Sequence, residues 1–532
     1  MSGELSSGRE QVRTAEVIAA LCLATDLGMG FPLEHGLHST LFAMRVAERL
    51  GVDTETERQI YYGCLLFYIG CTTDAEVAAE LFDEGALLTH FTPAMFGTPA
   101  QTMAAIMRGL ASRGSAPPVR AFQVASKLPG AVRGHRRHID AMCEVAQMLC
   151  DRLGLPASVR GLFMHLAERW DGKGEPARLK GDEIPLALRI IHVARDAAFQ
   201  RLIGGQEVAV GVIRSRAGGA FEPSIVALLA NEAADIMRID DERSVWEETL
   251  ALEPAPRLLL EDEAIDRALA AMGDFADLVS PYLVGHSAGV AELAAAAARR
   301  CHFDAADVAA TRRAALVHDV GRVAVSAHVW QKATTLTPDE WERVRLHAYH
   351  SERVLTRSPF LAALAPVATS HHERLDGAGY HRGATAATLS PPARLLAAAD
   401  AYHAMTEPRP HREALSPQQA ADALGREAGD GRLDAGSVAA VLEAAGHRAP
   451  RVERPAGLTQ REAEVVTLLA RGFQTKQVAR TLGISAKTAD HHVQNAYAKI
   501  GVSTRASAAL FAMEHGLARW GEVPMGIVEG RS

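Results

Sequence analysis

The chain has 532 residues, of which 48% are hydrophobic and 23% are charged, and its net charge is −8 at pH 7. This length predicts about three domains, and the negative charge argues against a generally basic nucleic-acid-binding protein, so any nucleic-acid contact must be local. We expect no membrane span, because no uncharged apolar run reaches about 18 residues. The N-terminus lacks a basic-then-apolar signal pattern, and the six cysteines form no CxxC pair. These features predict a cytoplasmic protein with reduced thiols.

Helical patterns dominate the N-terminal part of the chain. Apolar residues recur at helical spacing over residues 15–24, 36–50 and 57–68, whereas the alternation typical of strands is scarce. Aromatic residues make up only 5% of the chain, and Ala and Leu are abundant, a composition that favours helix over sheet. The sequence therefore predicts an all-α fold.

The chain contains an internal repeat. The segment 35–70 aligns without a gap with the segment 286–321, at an offset of 251 residues. Further on, the sequence around Glu168 aligns with the sequence around Glu373 at an offset of 205 residues. We therefore predict two tandem copies of one helical domain. The predicted domains are residues 13–250 and 257–447, joined by a short, stiff, proline-containing linker at 252–256.

The second copy concentrates side chains that commonly ligate metals. Seven of them open or close apolar helical patterns: His286, His318, Asp319, His347, His371, His372 and Asp400. Imidazole nitrogens and carboxylate oxygens are the usual ligands of borderline divalent metals. One such histidine alone is more often a core residue than a ligand, but seven polar groups are hard to bury without a partner that compensates their desolvation. A shared metal site would supply that partner.

These residues, in this order, resemble the HD-GYP branch of the HD phosphohydrolases over residues 265–447. The resemblance is carried by the doublet His318-Asp319, by "LHAYHSERVL", by "HHERLDGAGYH" and by "LLAAADAYHAM". It implies an HD-type helical fold and metal-assisted hydrolysis of a phosphodiester, with cyclic di-GMP or a related nucleotide as the substrate. It also implies two divalent ions, iron or manganese, which the two oxygens of Asp319 would bridge.

The resemblance also implies a role for each residue. The ligands would fall into two groups: His286, His318 and Asp400 on one ion, and His347, His371 and His372 on the other. Arg322 stands where the family usually has lysine, and would stabilise negative charge on the phosphate beside the catalytic Asp319. The implied substrate-binding residues are Asp376, Gly377, Gly379 and Tyr380, with His381 in place of the family's proline. Tyr282 stands where some members have a glutamate for a third metal, so we expect two ions.

The first copy has lost the implied ligands. The aligned residues are Phe67-Tyr68 for the His-Asp doublet, Leu166-Ala167 for the His-His doublet, and Arg195 for Asp400. Only His35 remains, and a single imidazole cannot hold a metal cluster. We expect the first copy to keep the fold without the metal, as a docking platform or a ligand sensor.

The C-terminal segment, residues 455–520, resembles the helix-turn-helix of LuxR-type regulators. Thr459 and Glu462 have the spacing of a capping box at the start of a helix. Ser485 would cap a third helix that stops at Gly501. The resemblance implies DNA contacts from this third helix, by Lys487, Thr488, His491, His492 and Lys499. Such regulators commonly bind two half-sites, so we expect a homodimer.

Two functions remain open on the sequence alone. One is a metal-dependent phosphodiesterase coupled to DNA binding and transcription regulation, which the complete ligand set favours. The other is a transcription regulator whose HD domain senses metal or nucleotide with little or no turnover, which the DNA-binding module and the degenerate first copy favour. Metal content and release of product from cyclic di-GMP would distinguish them.

Overall fold

The fold is described from a computed structural model. It describes residues 10–72, 95–110, 116–240, 242–447, 455–470, 472–515 and 517. The chain divides into two compact units, residues 1–448 and 449–532. The predicted division of the first unit into two domains stays a prediction. The C-terminal end of the predicted third domain, at 518–520, lies outside the described residues.

Helices make up most of the first unit, which confirms the all-α prediction. Its first half contains β1 (Gln11–Arg13), α1 (Thr14–Met29), α2 (His35–Leu50), α3 (Thr54–Leu65), α4 (Pro99–Gly109), α5 (Pro117–Arg152), α6 (Ala157–Leu162), α7 (Leu186–Arg216), α8 (Pro223–Asn231), α9 (Ala233–Ile236) and α10 (Val245–Ala251). Its second half contains β2 (Leu259–Glu261), α11 (Glu263–Asp277), α12 (His286–Arg300), α13 (Ala305–Val317), α14 (Ala327–Trp330), α15 (Pro338–Arg345), α16 (His347–Leu355), α17 (Pro359–Ala368), α18 (Pro391–Thr406), α19 (Pro417–Gly429) and α20 (Ala435–Ala444). Helix α7 is interrupted at Gly205, which has non-helical backbone angles.

A short sheet joins the two halves, and the sequence did not predict it. Strands β1 and β2 pair antiparallel, with Val12 opposite Leu260. The predicted linker at 252–256 is also part of the packed structure, because the Glu253 carboxylate is buried and binds the first half. It accepts hydrogen bonds from the Arg13 guanidinium at 2.6 Å and from the Tyr62 hydroxyl at 2.8 Å. The sequence did not predict these contacts of the linker.

The two halves use the same local interactions at aligned positions. The buried carboxylate of Asp26 at the end of α1 accepts the N–H of Gly36 at 3.1 Å, near the start of α2. Asp277 at the end of α11 accepts the N–H of Ser287 at 2.8 Å, near the start of α12. Each carboxylate therefore satisfies an N–H in the first turn of a helix, where no backbone acceptor is available.

One hydrophobic cluster runs through both halves of the first unit. Helix α2 packs on α7 in the first half, and α12 packs on α13 and α18 in the second. This continuous core holds the ends of α12, α13 and α18 close together, and the candidate site lies there. None of the described helices combines the length and the apolarity needed to cross a bilayer.

The second unit is a small helical module. Its helices are α21 (Gln460–Ala470), α22 (Thr475–Thr481), α23 (Ala486–Ile500) and α24 (Arg505–Glu514). The backbone N–H of Thr459 donates to the Glu462 carboxylate at 2.8 Å, and the N–H of Glu462 donates back to the Thr459 hydroxyl at 3.3 Å, as a capping box requires. Ser485 accepts the N–H of Thr488 at 3.0 Å and so caps α23. The capping predictions agree with this geometry.

Candidate metal centre and helix-turn-helix

The structure brings the seven predicted ligand residues to one place. They come from five parts of the second half: the start of α12, the end of α13 with the turn after it, the start of α16, the segment after α17, and α18. Six of the seven are at most 2% exposed, and His372 is partly exposed. So many buried polar groups in one place need partners.

Asp319 lies at the centre of this group. Its Oδ1 atom is 3.3 Å from Nε2 of His347 and 3.3 Å from Nε2 of His371. Its Oδ2 atom is 2.8 Å from Nε2 of His318 and 3.5 Å from Nε2 of His286. Each carboxylate oxygen therefore faces a different pair of imidazoles, which is the arrangement that a bridging carboxylate needs.

The remaining donors complete two groups around Asp319. The donor atoms of each group lie within 4.8 Å of one another: His286, His318 and Asp400 in one, and His347, His371 and His372 in the other. These two groups correspond to the division that the resemblance implies, which stays a prediction. The described residues also form two other donor groups: His318, Asp319 and His371, and His286, His403 and Glu407. Nε2 of His318 and Oδ1 of Asp319 are buried without a hydrogen-bond partner in the described part of the chain, and Oδ2 of Asp319 has an ion pair with Arg322. Divalent cations would satisfy these orphaned atoms, so the residues present fit a two-metal site.

Backbone carbonyls fix the orientation of three of the imidazoles. The Nδ1 atoms of His318, His347 and His371 lie 2.6, 2.5 and 2.6 Å from the carbonyl oxygens of Ala315, Val344 and Ala368. A protonated Nδ1 donates to each carbonyl, which leaves the Nε2 lone pair directed at Asp319. Such outer hydrogen bonds select the tautomer of a metal-binding histidine.

The charges in the site also suit a cation. Burial lowers the pKa of His371 to about 4, so this imidazole is neutral at pH 7. Burial opposes ionisation of Asp319, but Arg322 and His318 hold the pKa of its carboxyl well below the ordinary value. Burial likewise opposes protonation of His318, but the adjacent Asp319 raises its pKa to about 10. A proton and a cation therefore compete for Nε2 of His318, and metal binding would release that proton.

A close backbone contact positions the turn that carries Asp319. This turn is a 3-10 helix, Val320–Ala324, packed on α16. A Cβ atom at Gly321 would lie 2.2 Å from the carbonyl oxygen of His347, so only glycine allows this approach. The Ser351 hydroxyl accepts the Gly321 N–H at 2.9 Å and donates to the His318 carbonyl at 2.8 Å. Sequence reasoning missed Ser351, since a serine within a helix carries no signal of such a contact.

Arg322 lies beside the same carboxylate. Its Nη2 atom is 2.7 Å from Oδ2 of Asp319, and its guanidinium lies 5.5 Å from the ring of Trp330. The side chain is buried, but Nε and Nη1 have no hydrogen-bond partner among the described residues. These donors are available to an anionic group that enters the site.

A short loop covers one side of the site. The Glu373 carboxylate accepts the backbone N–H groups of Arg382 at 3.1 Å and Ala384 at 2.8 Å, which closes the loop. A Cβ at Gly379 would lie 2.4 Å from Cα of Glu373, so the loop backbone passes very close to its own base. The ring of Tyr380 then lies 4.4 Å from that of His372.

The four predicted substrate residues differ in position. Tyr380 lies against a predicted ligand, whereas the side chain of Asp376 is exposed and accepts the N–H of Ala378 within the loop at 3.0 Å. Gly377 has φ +79°, a conformation that glycine adopts without strain. Asp376 and Gly377 therefore shape the loop, and only Tyr380 of these three has a side chain near the predicted ligands.

The comparison with known families agrees with this geometry. Residues 97–222 and 270–436 match the family model described as HD domain. The chain belongs to the HD domain family. Residues 456–512 match the model described as bacterial regulatory proteins, luxR family.

Several HD proteins resemble this chain. The "3'3'-cGAMP-specific phosphodiesterase 3" of Vibrio cholerae is 28% identical over 412 residues, which cover 75% of this chain and 88% of the relative. A "Cyclic di-GMP phosphodiesterase" of Thermotoga maritima is 37% identical over 101 residues, which cover 19% of this chain and 27% of that protein. A crystal structure of a cyclic GMP-AMP-specific phosphodiesterase from V. cholerae covers 82% of this chain and 98% of its own, with TM-score 0.57 and 24% identity. The structural likeness supports the helical HD fold.

In the first half of the HD unit, an arginine lies at the position aligned with Asp400. The buried Arg195 guanidinium lies 4.1 Å from the ring of Tyr68 and 4.9 Å from that of Phe67, and its Nη1 donates to the Cys64 carbonyl at 2.6 Å. His35 packs on the ring of Phe31 at 4.4 Å. Among the described residues, every group of three or more candidate metal donors lies in the second half.

The luxR-type module presents part of α23 to solvent. Lys487, Thr488 and His491 are exposed and His492 is partly exposed, while Ala489 faces the core. Lys499 is different, because its ammonium lies 2.6 Å from the Glu462 carboxylate. Lys499 therefore also fastens α23 to α21, and its predicted phosphate contact stays a prediction.

Proposed function

We propose that this chain is a metal-dependent phosphodiesterase that opens a cyclic dinucleotide, and that its luxR-type module couples this activity to DNA binding. The single observation that supports the proposal is the buried Asp319 carboxylate, which has two imidazoles beside each oxygen. Relatives named for hydrolysis of 3'3'-cGAMP and of cyclic di-GMP support the choice of substrate class.

Each side chain has a role in this proposal. His286, His318 and Asp400 would hold one ion, and His347, His371 and His372 the other, with Asp319 between them. When bound, the two ions would supply Lewis acidity and activate water for attack on phosphorus. Five imidazoles with two carboxylates favour iron or manganese over magnesium or calcium.

The other residues around the centre would act on the substrate. Arg322 would hold a non-bridging phosphate oxygen with its free Nε and Nη1 donors. Tyr380 would orient the nucleotide from the loop, next to His372. Asp376, Gly377 and Gly379 would keep this loop in shape.

The luxR-type module would bind DNA through the exposed side of α23. We assign Lys487 and His491 to base edges and Thr488 and His492 to phosphates, with Lys499 contributing charge near the backbone. A module of this kind recognises paired half-sites when the protein is a homodimer, so we propose that state.

The second candidate is a regulator whose HD domain senses metal or nucleotide with little turnover. One experiment separates the two. The full chain is purified without chelator, its metal content is measured, and linear product is followed separately with cyclic di-GMP and 3'3'-cGAMP. Bound metal with product supports the enzyme, and bound metal with no product from either substrate supports the sensor.

Aligned variants give this experiment a matched control. His286→Ala should lose metal and product formation, whereas His35→Ala, the aligned change in the first half, should keep both. Both residues are buried, so the cost to packing is comparable. His318→Ala combined with Asp319→Ala should remove metal without loss of helicity, because the first half folds with Phe67 and Tyr68 at these positions. Coincident loss of the circular dichroism signal would contradict the assignment.

A further inference from the structure

His286 is held differently from the other imidazoles that face Asp319. His318, His347 and His371 direct Nδ1 at a carbonyl of their own chain segment, three residues earlier. His286 is the first residue of α12 and follows Gly285, whose φ of +83° interrupts the helical path before it. Its Nδ1 lies 2.9 Å from Oε2 of Glu407, just beyond the end of α18.

Glu407 forms a candidate donor group with His286 and His403, and its Oε2 atom also accepts hydrogen bonds. Its Oε2 atom also accepts a hydrogen bond from Nη2 of Arg409 at 2.8 Å. Arg409 is in turn held by the Tyr282 carbonyl, to which Nη1 donates at 2.7 Å. Oε2 of Glu407 therefore has two N–H groups within hydrogen-bond distance, one from His286 and one from Arg409.

A second histidine, His403, lies beside Glu407. Nδ1 of His403 lies 3.2 Å from Oε1 of Glu407, the oxygen that Arg409 does not use. His403 also packs tightly on α12, because a Cβ at Gly289 would lie 2.0 Å from its Nε2 atom. The Glu407 carboxylate is therefore fixed from both sides, and its oxygen toward His286 has a defined position.

The internal repeat shows whether the fold itself requires Glu407. In the first half, the residues aligned with Asp400, His403 and Glu407 are Arg195, Ala198 and Leu202. That half keeps the fold, including a helix through these positions. The carboxylate is therefore not required by the fold, and it is absent from the half in which the ligand residues are also absent.

We propose that Glu407 is a positioning residue, which accepts the Nδ1–H of His286 and so directs its Nε2 lone pair at the group formed with His318 and Asp400. Nε2 of His286 already lies 3.1 Å from Oδ1 of Asp400. The inference rests on the proposed function, because it needs a metal at this group. In this proposal, the Glu407 side chain orients His286, as backbone carbonyls orient His318, His347 and His371.

The test is a titration of the chelator-stripped full chain with Mn²⁺, followed by electron paramagnetic resonance. Glu407→Ala should weaken binding of one of two ions by about 10- to 100-fold and leave the other unchanged. Glu407→Gln keeps an acceptor oxygen and should recover most of the affinity. Glu413→Ala, an exposed carboxylate in the same segment, is the matched control and should bind like the unmodified chain.

The outcomes are distinguishable. If the unmodified chain binds no Mn²⁺, the proposed function fails, and this inference fails with it. If the unmodified chain binds two ions and Glu407→Ala binds both with unchanged affinity, only the positioning role is overturned. If the unmodified chain binds three ions and Glu407→Ala binds two, Glu407 is a ligand, which also overturns the positioning role.

Discussion

The role of Glu373 in closing the loop can be tested by comparison with the aligned Glu168 of the first half. In the second half, the two oxygens of the Glu373 carboxylate accept the N–H groups of Arg382 and Ala384. In the first half, the aligned Glu168 accepts the N–H groups of Ala177 and Leu179 at 2.7 and 2.9 Å. Both carboxylates are at most 2% exposed. Glu373→Gln and Glu168→Gln are therefore the same chemical change in two nearly identical environments, only one of which adjoins the candidate centre.

The magnitude follows from the two hydrogen bonds. A glutamine keeps one acceptor oxygen, but its NH₂ group faces a backbone N–H, so one charge-assisted bond is lost and a donor is left unpaired. A hydrogen bond to a charged group contributes about 1.5–3 kcal/mol. If this free-energy cost destabilises the closed conformation of the loop, the fraction of molecules with a closed loop is reduced by at most about 10- to 100-fold, because about 1.4 kcal/mol corresponds to a factor of ten. The closed loop places Tyr380 against His372. A smaller closed fraction therefore lowers productive substrate binding.

The assay compares thermal unfolding with hydrolysis of a cyclic dinucleotide. Both variants should lower the melting temperature by a few degrees. Glu373→Gln should also lower kcat/KM by about tenfold or more, whereas Glu168→Gln should change it less than about twofold. Equal losses of kcat/KM in the two variants would refute a local role for the loop, and so would unchanged hydrolysis in a folded Glu373→Gln protein.

Three further predictions concern other parts of the chain. Arg195→Ala should destabilise the HD unit by about 3 kcal/mol or more in urea unfolding, because it removes a buried charge-assisted bond and leaves a cavity, yet metal content should not change. Burial raises the pKa of Asp26 to about 7. The stability that Asp26 contributes is therefore fully present below pH about 4 and is lost as pH rises through 7. Asp26→Asn should reduce this change of unfolding free energy with pH, measured by unfolding at several pH values. Lys499→Ala should weaken duplex DNA binding evenly across sequences in fluorescence anisotropy and cost up to about 1 kcal/mol of module stability through the lost Glu462 pair. A change at a single base preference would contradict that docking.

The sequence predicted the helices well, for physical reasons. Helical periodicity and capping are local, so the bounds of α2 and α23 follow closely from a few neighbouring residues. The repeat also showed which predicted ligand residues are replaced in the first half, because each position of the first half can be compared with its aligned position in the second. Convergence of the six other predicted ligand residues around Asp319 is not local, and only the resemblance to a known family made it predictable.

What the sequence did not predict depends on contacts between distant segments. Ser351 ties α16 to the turn after α13, and Glu407 reaches the first residue of α12 across more than a hundred residues. The contacts of the linker were not predicted for the same reason: two prolines after Glu253 indicate a stiff segment, but nothing local shows that Arg13 and Tyr62 bind the Glu253 carboxylate. A single chain without aligned relatives gives no signal for such pairs.

The packing of the two halves offers a reason for retaining a half without metal ligands. Helix α1 of the first half packs directly on the Val320–Ala324 turn that follows Asp319, and on α16, which starts with His347. Glu16 on α1 accepts the Ser358 hydroxyl at 2.7 Å, and β1 pairs with β2 in front of α11. Without the first half, the turn would lose these contacts. In the first half, Arg195 lies against Phe67 and Tyr68, the residues aligned with the His-Asp doublet, so that half can keep its fold and support the turn without the doublet.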